Sequence, residues 1–344
     1  MTELKAMVPV YCYNFPEVRK LLHEVEQAIP DEIYQVTASA EKVRQGLEGL
    51  FEPELEIPET IDGCVDLDEI HVPIIDRIVE AYAPTLHGLE QFRHRYPTSG
   101  SSEGLFHLLA RYATRGIEEI NVLDGEYEGY EAQARNLGMD VRKHTSTQVY
   151  DAEPGLWFIS NPSARDGNII TNDFLNMMCR RGHELVLDLS YVGATAPHEY
   201  DLSHPNIVSV VMSFSKPYGV FRHRIGGFTF SKPEIPSLYG NKWFKDTLRL
   251  MQALKIAEDM GPVGPNSLYE KYRPVQEEII RGINDELELC LEPSDSLLIA
   301  NVDRDQLEFY TPEQQEMIKP FKRGNNYRLC LTPYFEMKEM EVGT

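Results

Sequence analysis

The chain has 344 residues, 42% hydrophobic and 26% charged, an ordinary globular composition with enough apolar surface for one large domain and a smaller one. Its formal charge of -22, from 55 acids against 33 bases, is spread along the chain and argues against nucleic acid and anionic membranes as partners. Five cysteines (Cys12, Cys64, Cys179, Cys290, Cys330) are far apart and odd in number, with no pair at metal-ligand spacing, so reduced thiols, no bound metal and a cytoplasmic setting are expected. The start, Met-Thr-Glu-Leu-Lys-Ala, has no long apolar run behind it, which predicts no signal peptide. No window approaches the roughly 18 apolar residues of a membrane span.

In chain order, Val18, Leu21, Leu22, Val25 and Ala28 fall on one face and predict a helix over 16–29. The acidic, proline-bearing stretch 51–58 reads as a linker or surface loop. Residues 67–92 read as helical, interrupted near Pro84. The run Tyr96-Pro-Thr-Ser-Gly-Ser-Ser-Glu-Gly then opens onto an amphipathic helix, roughly 102–115. Its start is either a phosphate seat, with Gly100 letting the backbone approach and Ser101 and Ser102 adding hydroxyls, or an ordinary serine cap with Glu103 in the first turn.

After this, strands and helices alternate. Strands are predicted at 119–123, 140–144, 156–160, 184–187, 207–212 and 225–230, with helices at 129–137 and 173–181. That alternation implies an α/β fold with a mostly parallel sheet and helices on both faces. Ligands in such sheets bind at the carboxyl ends of strands. There the sequence shows Asp124-Gly-Glu-Tyr127, Ser160-Asn-Pro-Ser-Ala-Arg165, Asp188-Leu-Ser-Tyr191 and Ser213-Phe-Ser-Lys216. The last holds a lysine in a turn, with Ser213 and Ser215 before it and Arg224 eight residues after it. A lysine in a turn is usually a solvated surface residue; a buried one of lowered pKa is an amine nucleophile able to form a Schiff base, and hydroxyls and an arginine beside it suit a phosphate. Beyond the Gly261-Pro262-Val263-Gly264-Pro265 break, a long helix (268–289), a strand (296–300), a short helix from Pro312 and a last strand (326–331) follow. This divides the chain into a large domain, 61–261, and a smaller α+β domain, 1–60 with 262–344.

Taken together, these residues resemble fold type I pyridoxal-phosphate enzymes, in particular class I/II aminotransferases of the aspartate aminotransferase kind. The resemblance covers 100–230 clearly and the last strand more loosely. It implies pyridoxal 5′-phosphate as cofactor, and roles residue by residue. Gly100, Ser101 and Ser102 are similar to the family's phosphate loop, and Tyr127 to the aromatic that stacks on the pyridine ring. Asn161 and Tyr191 resemble the pair that bonds the ring oxygen, and Asp188 the carboxylate at the ring nitrogen. Lys216 resembles the Schiff-base lysine and general base, with Ser213 and Arg224 as phosphate ligands. Ser215 either bonds the phosphate or shapes the turn. Arg328 resembles the arginine that grips the substrate α-carboxylate, although an arginine in a late strand also suits an ion pair. Arg222 and His223 read as exposed loop residues.

The implied activity is transamination between an amino acid and a 2-oxo acid. The alternative on the same scaffold is a lyase, cyclase, decarboxylase or oxidative deaminase. The family forms homodimers, so the same is expected here. Ser163-Ala164 stand where the family often has Thr-Gly or His-Gly, which affects loop shape more than chemistry. The sequence runs only sixteen residues past Arg328, which predicts a short or missing closing helix.

Overall fold

The computed structural model describes residues 4–10, 13–34, 38–241, 246–263 and 266–342. Cys12, Gly264 and Pro265 lie outside the described residues. The first helix, α1 (Pro16–Ala28), has proline in its first turn, where a missing N–H costs nothing, and buries Val18, Leu21, Leu22 and Val25. Helix α2 (Ala40–Leu47) follows. The stretch 51–58 is irregular as expected, but it is no free linker, because Phe51, Leu55 and Ile57 are buried.

The reading of 67–92 needs correction. Helix α3 (His71–Tyr82) ends before Pro84, and Leu86–His87 (β1) turns away to pair with a later segment. Leu86, Leu89 and Phe92 continue the helical spacing of buried residues, but the helix has already ended, and Gly88 at φ +90° only turns β1 into a short 3-10 turn at Leu89–Gln91. Strand β2 (His94–Thr98) then leads into helix α4 (Ser101–Thr114). Next come β3 (Glu119–Leu123), α5 (Glu128–Asn136), β4 (Asp140–His144), β5 (Leu156–Ser160), α6 (Asn172–Arg180) and β6 (Glu184–Asp188). The two-residue β7 (Tyr200–Asp201) is the parallel partner of β1. Strand β8 (Ile207–Ser213) and strand β9 (Gly227–Ser231) close the main sheet, β9 starting two residues later than the apolar run at Ile225.

The main sheet has the order β2-β9-β8-β6-β5-β3-β4. Strand β9 is antiparallel to both neighbours, and the other pairings are parallel. Parallel strands covered on both faces need apolar side chains on both. In β5, Leu156 and Phe158 join the core under α4 and α5, while Trp157 and Ile159 join the one shared with α6. The same split separates Val186 from Leu185 and Leu187, and Val211 from Val210 and Met212.

Helices α7 (Pro236–Asn241), α8 (Thr247–Met260) and α9 (Leu268–Leu287) come next. A second, antiparallel sheet follows: β10 (Leu291–Pro293), β11 (Ile299–Val302), then after α10 (Pro312–Ile318) the strands β12 (Lys322–Arg323) and β13 (Asn326–Cys330), in the order β10-β11-β13-β12. The expected strand 296–300 therefore starts later, at Ile299. The closing helix is present and short, α11 (Thr332–Val342). Met7 exchanges backbone hydrogen bonds of 3.1 and 3.0 Å with Cys330, so the first described segment joins the last strand. Among the described residues, no helix is long and apolar enough to cross a membrane, and Cys64, Cys179, Cys290 and Cys330 form no disulfide.

Candidate active site

Strands β3, β5, β6 and β8 all end at one edge of the main sheet, and the residues after them meet there. A cavity of about 230 Å³ at this edge is lined by Ser101, Ser102, Tyr127, Asp188, Tyr191, Ser213, Ser215, Lys216, Arg224 and Arg328. These were singled out from the sequence. Pro9, Val10, Glu128, Ala164, Ser190, Phe221 and Arg323 complete the wall.

Lys216 stands in the turn three residues after the end of β8. Its Nζ donates to Tyr191 Oη at 3.2 Å and lies 4.3 and 5.6 Å from the ring centroids of Tyr191 and Tyr127. Tyr127 is the residue before α5, and its ring lies against the backbone of Gly129.

Asp188, the last residue of β6, is buried. It accepts from Tyr130 Oη at 3.0 Å, from the Ser190 N–H at 3.1 Å and from Ser190 Oγ. Burial pushes its carboxyl above the ordinary value, opposed by the Ser190 hydroxyl, the charge of Lys216 and the Tyr130 hydroxyl. Such a carboxylate stands to gain from a further cationic N–H.

The other end of the cavity suits an anion. Helix α4 begins on Gly100, with no side-chain cap, so Ser101 and Ser102 stand in the first turn and the serine-cap reading does not hold. Their N–H groups lack helical partners and face the positive end of the helix. Gly100 has φ +98°, and a Cβ there would stand 2.3 Å from Arg224 Nη2. With glycine there the guanidinium lies close against the turn, where it donates to the Ser99 carbonyl. Ser213 Oγ accepts from the Ser215 N–H at 3.2 Å. Ser215 Oγ is buried with no hydrogen-bond partner. A buried hydroxyl without a partner is costly, and a phosphate oxygen would satisfy it.

Arg328, in β13, is 4% exposed. Its Nη2 donates to the Val8 carbonyl at 3.0 Å and its Nη1 to the Ala164 carbonyl, while Nε has no partner. Burial lowers its pKa, and among the described residues no carboxylate pairs with it, so the ion-pair reading finds no partner.

Two expected site residues do not line the cavity: Gly100, which lies against Arg224, and Asn161. Its Nδ2 donates to the Ile170 carbonyl at 3.0 Å and its Oδ1 accepts from the Ile170 N–H at 2.8 Å. The carboxamide thus closes the 161–170 loop that brings Ala164 to the wall. Arg222 and His223 are exposed, as read.

Three contributors escaped the sequence reading. Tyr130 supports Asp188, and its only signal is its place one turn after Tyr127. Glu126 is buried and accepts from Ser163 Oγ at 2.6 Å, from the Ser160 N–H at 3.3 Å and from Ser160 Oγ. It thereby pins the loop that carries Ala164, and so the seat of Arg328. Burial raises its carboxyl, opposed by the Ser160 and Ser163 hydroxyls. The third is Arg323, beside Glu128.

No family model matches the chain, and no curated protein matches it in sequence. Solved structures match its fold. Aspartate aminotransferase from Thermus thermophilus, as a double mutant, is 14% identical, with a TM-score of 0.61 over 95% of this chain and 87% of that one. A C-S lyase with bound pyridoxal phosphate, from Staphylococcus hominis, is 13% identical, with a TM-score of 0.61 over 96% of this chain and 91% of that one. L-threonine-O-3-phosphate decarboxylase from Porphyromonas gingivalis is 13% identical, with a TM-score of 0.57 over 97% of this chain and 100% of that one. This chain therefore has the fold that those enzymes share, the fold type I, aspartate aminotransferase-like architecture that residues 100–230 led one to expect.

Proposed function

We propose that this protein is a pyridoxal-phosphate-dependent aminotransferase that acts on an amino acid and a 2-oxo acid, with Lys216 as covalent anchor. The observation that carries this is Lys216 between an anion seat and a buried, acceptor-only carboxylate. The residues fit the cofactor: the partnerless Ser215 hydroxyl and the room left at Gly100 suit a phosphate, and buried Asp188 suits a protonated ring nitrogen. Ser101, Ser102, Ser213, Ser215 and Arg224 would hold the phosphate, Tyr127 the ring face, Tyr191 the ring oxygen and Asp188 the ring nitrogen. When bound, pyridoxal phosphate supplies an electron sink for negative charge at the substrate Cα. Arg328 orients the α-carboxylate, with its unpartnered Nε available for the grip. Lys216 Nζ would take the proton from the donor's Cα as general base and, in the second half-reaction, deliver one to the Cα of the acceptor.

The division into 61–261 and 1–60 with 262–344 belongs to the same reading, as does a homodimer, which the family resemblance suggests. Borohydride reduction of the loaded protein should fix the cofactor to the peptide bearing Lys216, seen by mass spectrometry. In a separate, unreduced sample, a donor amino acid should yield its own 2-oxo acid stoichiometrically before any acceptor is added. Uptake of cofactor without oxo-acid release from any donor would exclude transamination. Since the similar structures include a lyase and a decarboxylase, product analysis would then separate those reactions.

A further inference from the structure

Two charges of opposite sign are buried beside the cavity. Arg328 is 4% exposed and Glu126 7%. Among the described residues no carboxylate pairs with the first and no cation with the second; Arg165, close to Glu126, is paired with Asp166 at 2.9 Å. A buried charge is costly unless it is compensated. The structure joins the two through a single peptide. Arg328 Nη1 donates to the Ala164 carbonyl. The same peptide unit carries the Arg165 N–H, which donates to Ser163 Oγ at 3.2 Å. Ser163 Oγ donates in turn to Glu126 Oε1 at 2.6 Å. Every bond in this chain points the same way, from guanidinium to carboxylate.

Aligned hydrogen bonds in a medium of low dielectric polarise one another, so the dipoles between the two charges stabilise both. The direction is enforced at the acid end. An ionised carboxylate only accepts, so Ser163 turns its proton to Glu126 and its lone pairs to the Arg165 N–H. Ser160 repeats the arrangement alongside: its Oγ donates to Oε2 and accepts from the Ala164 N–H at 2.7 Å. A carboxylate in direct contact with Arg328 would occupy the donors that a substrate needs. One placed beyond a peptide compensates the charge and leaves Nε without a partner.

We propose that Glu126 is the counter-charge of Arg328, relayed through Ser163 and the 164–165 peptide, and thereby a positioning residue for the substrate carboxylate. The part played by Arg328 rests on the aminotransferase-like reading of the cavity; the link between the two charges does not. Urea unfolding of the unloaded protein tests the link. Glu126→Gln and Arg328→Met should each lower the folding constant, and together they should lower it about tenfold less than the product of the two single effects. Ser163→Ala, which breaks the relay and keeps both charges, should abolish that coupling. If Glu126→Gln does not fold, the cycle is read between Ser163→Ala and Arg328→Met, which should couple likewise. Independent effects, or a coupling of Glu126 with Arg328 that survives Ser163→Ala, overturn the proposal. The second readout uses protein loaded with pyridoxal phosphate. Its titrants are the L-amino acid, among the common twenty, that shifts the cofactor absorbance at the lowest concentration, and the amine that lacks its carboxyl group. Glu126→Gln should weaken the amino acid about tenfold and leave the amine unchanged. Equal weakening of both would overturn the positioning role. If no pyridoxal phosphate is taken up, or no amino acid shifts the band, the reading of the cavity falls, and the unfolding cycle still decides the link.

Discussion

Each polar side chain around Lys216 has a distinct electrostatic reason for its place. Asp188 receives donors from Tyr130 and Ser190, yet among the described residues no full counter-charge touches it, so its carboxylate is held ready for a cation. Asp188→Asn should preserve the shape but remove the charge, and activity should fall by orders of magnitude while calorimetry still detects cofactor binding. The anion seat separates into single contributions. Arg224→Gln replaces an exposed guanidinium, so its loss should weaken cofactor binding by only about 1.5 kcal/mol, roughly tenfold. Ser215→Ala removes a hydroxyl that lacks a partner until a phosphate arrives. It should therefore raise the melting temperature of the unloaded protein slightly while weakening cofactor binding, two opposite shifts that a pair of melting curves would reveal. At this scale the sequence was most legible where side chains followed strand ends, as with Asp188, Tyr191 and Lys216. Tyr130 and Glu126 were not legible, because what matters is the partner they reach across strands, and no spacing encodes that. Asn161 sits where expected, but its carboxamide serves its own loop.

At the level of elements, buried parallel strands announce themselves as apolar runs bounded by turns, so the bounds read for β3, β4 and β5 match those observed. Strand β2, His-Arg-Tyr-Pro-Thr, gave no such signal. It is an edge strand whose one neighbour in the sheet is β9, which is why Pro97 is tolerated there. Helix α8 was missed for the opposite reason. It packs against both α1 and α3 and buries Leu250, Met251, Ala253, Leu254, Ile256 and Ala257, so no polar face marks its period. The turn from β2 into α4 is where backbone and site meet most closely. Gly100→Ala would both strain a left-handed residue and push on Arg224. We expect a loss of about 1–3 kcal/mol in stability by urea unfolding, together with weakened cofactor binding.

Over the whole molecule, titration of a group remote from the cavity should shape the acid response. His183 is fully buried beside Trp157, with both ring nitrogens lacking hydrogen-bond partners. Burial, then Arg181 and His144, lowers its pKa. Below about pH 6.5 the unfolded imidazole binds a proton that the folded one refuses, so stability falls as pH drops from there to the lowered folded value. Chemical unfolding between pH 8 and 5 should show this, and His183→Leu should flatten the slope, while the carboxyls, common to both proteins, cancel in the comparison. The pairing of Met7 with Cys330 carries a consequence in time. Val8 holds Arg328, Pro9 and Val10 form cavity wall, and Lys5 and Tyr13 bond Tyr334 and Glu339, so the two ends of the sequence close the pocket together. During synthesis the large sheet can assemble as soon as β9 has emerged. The cavity wall that carries Arg328 cannot form until β13 leaves the ribosome, so the main sheet can be in place before the pocket is complete.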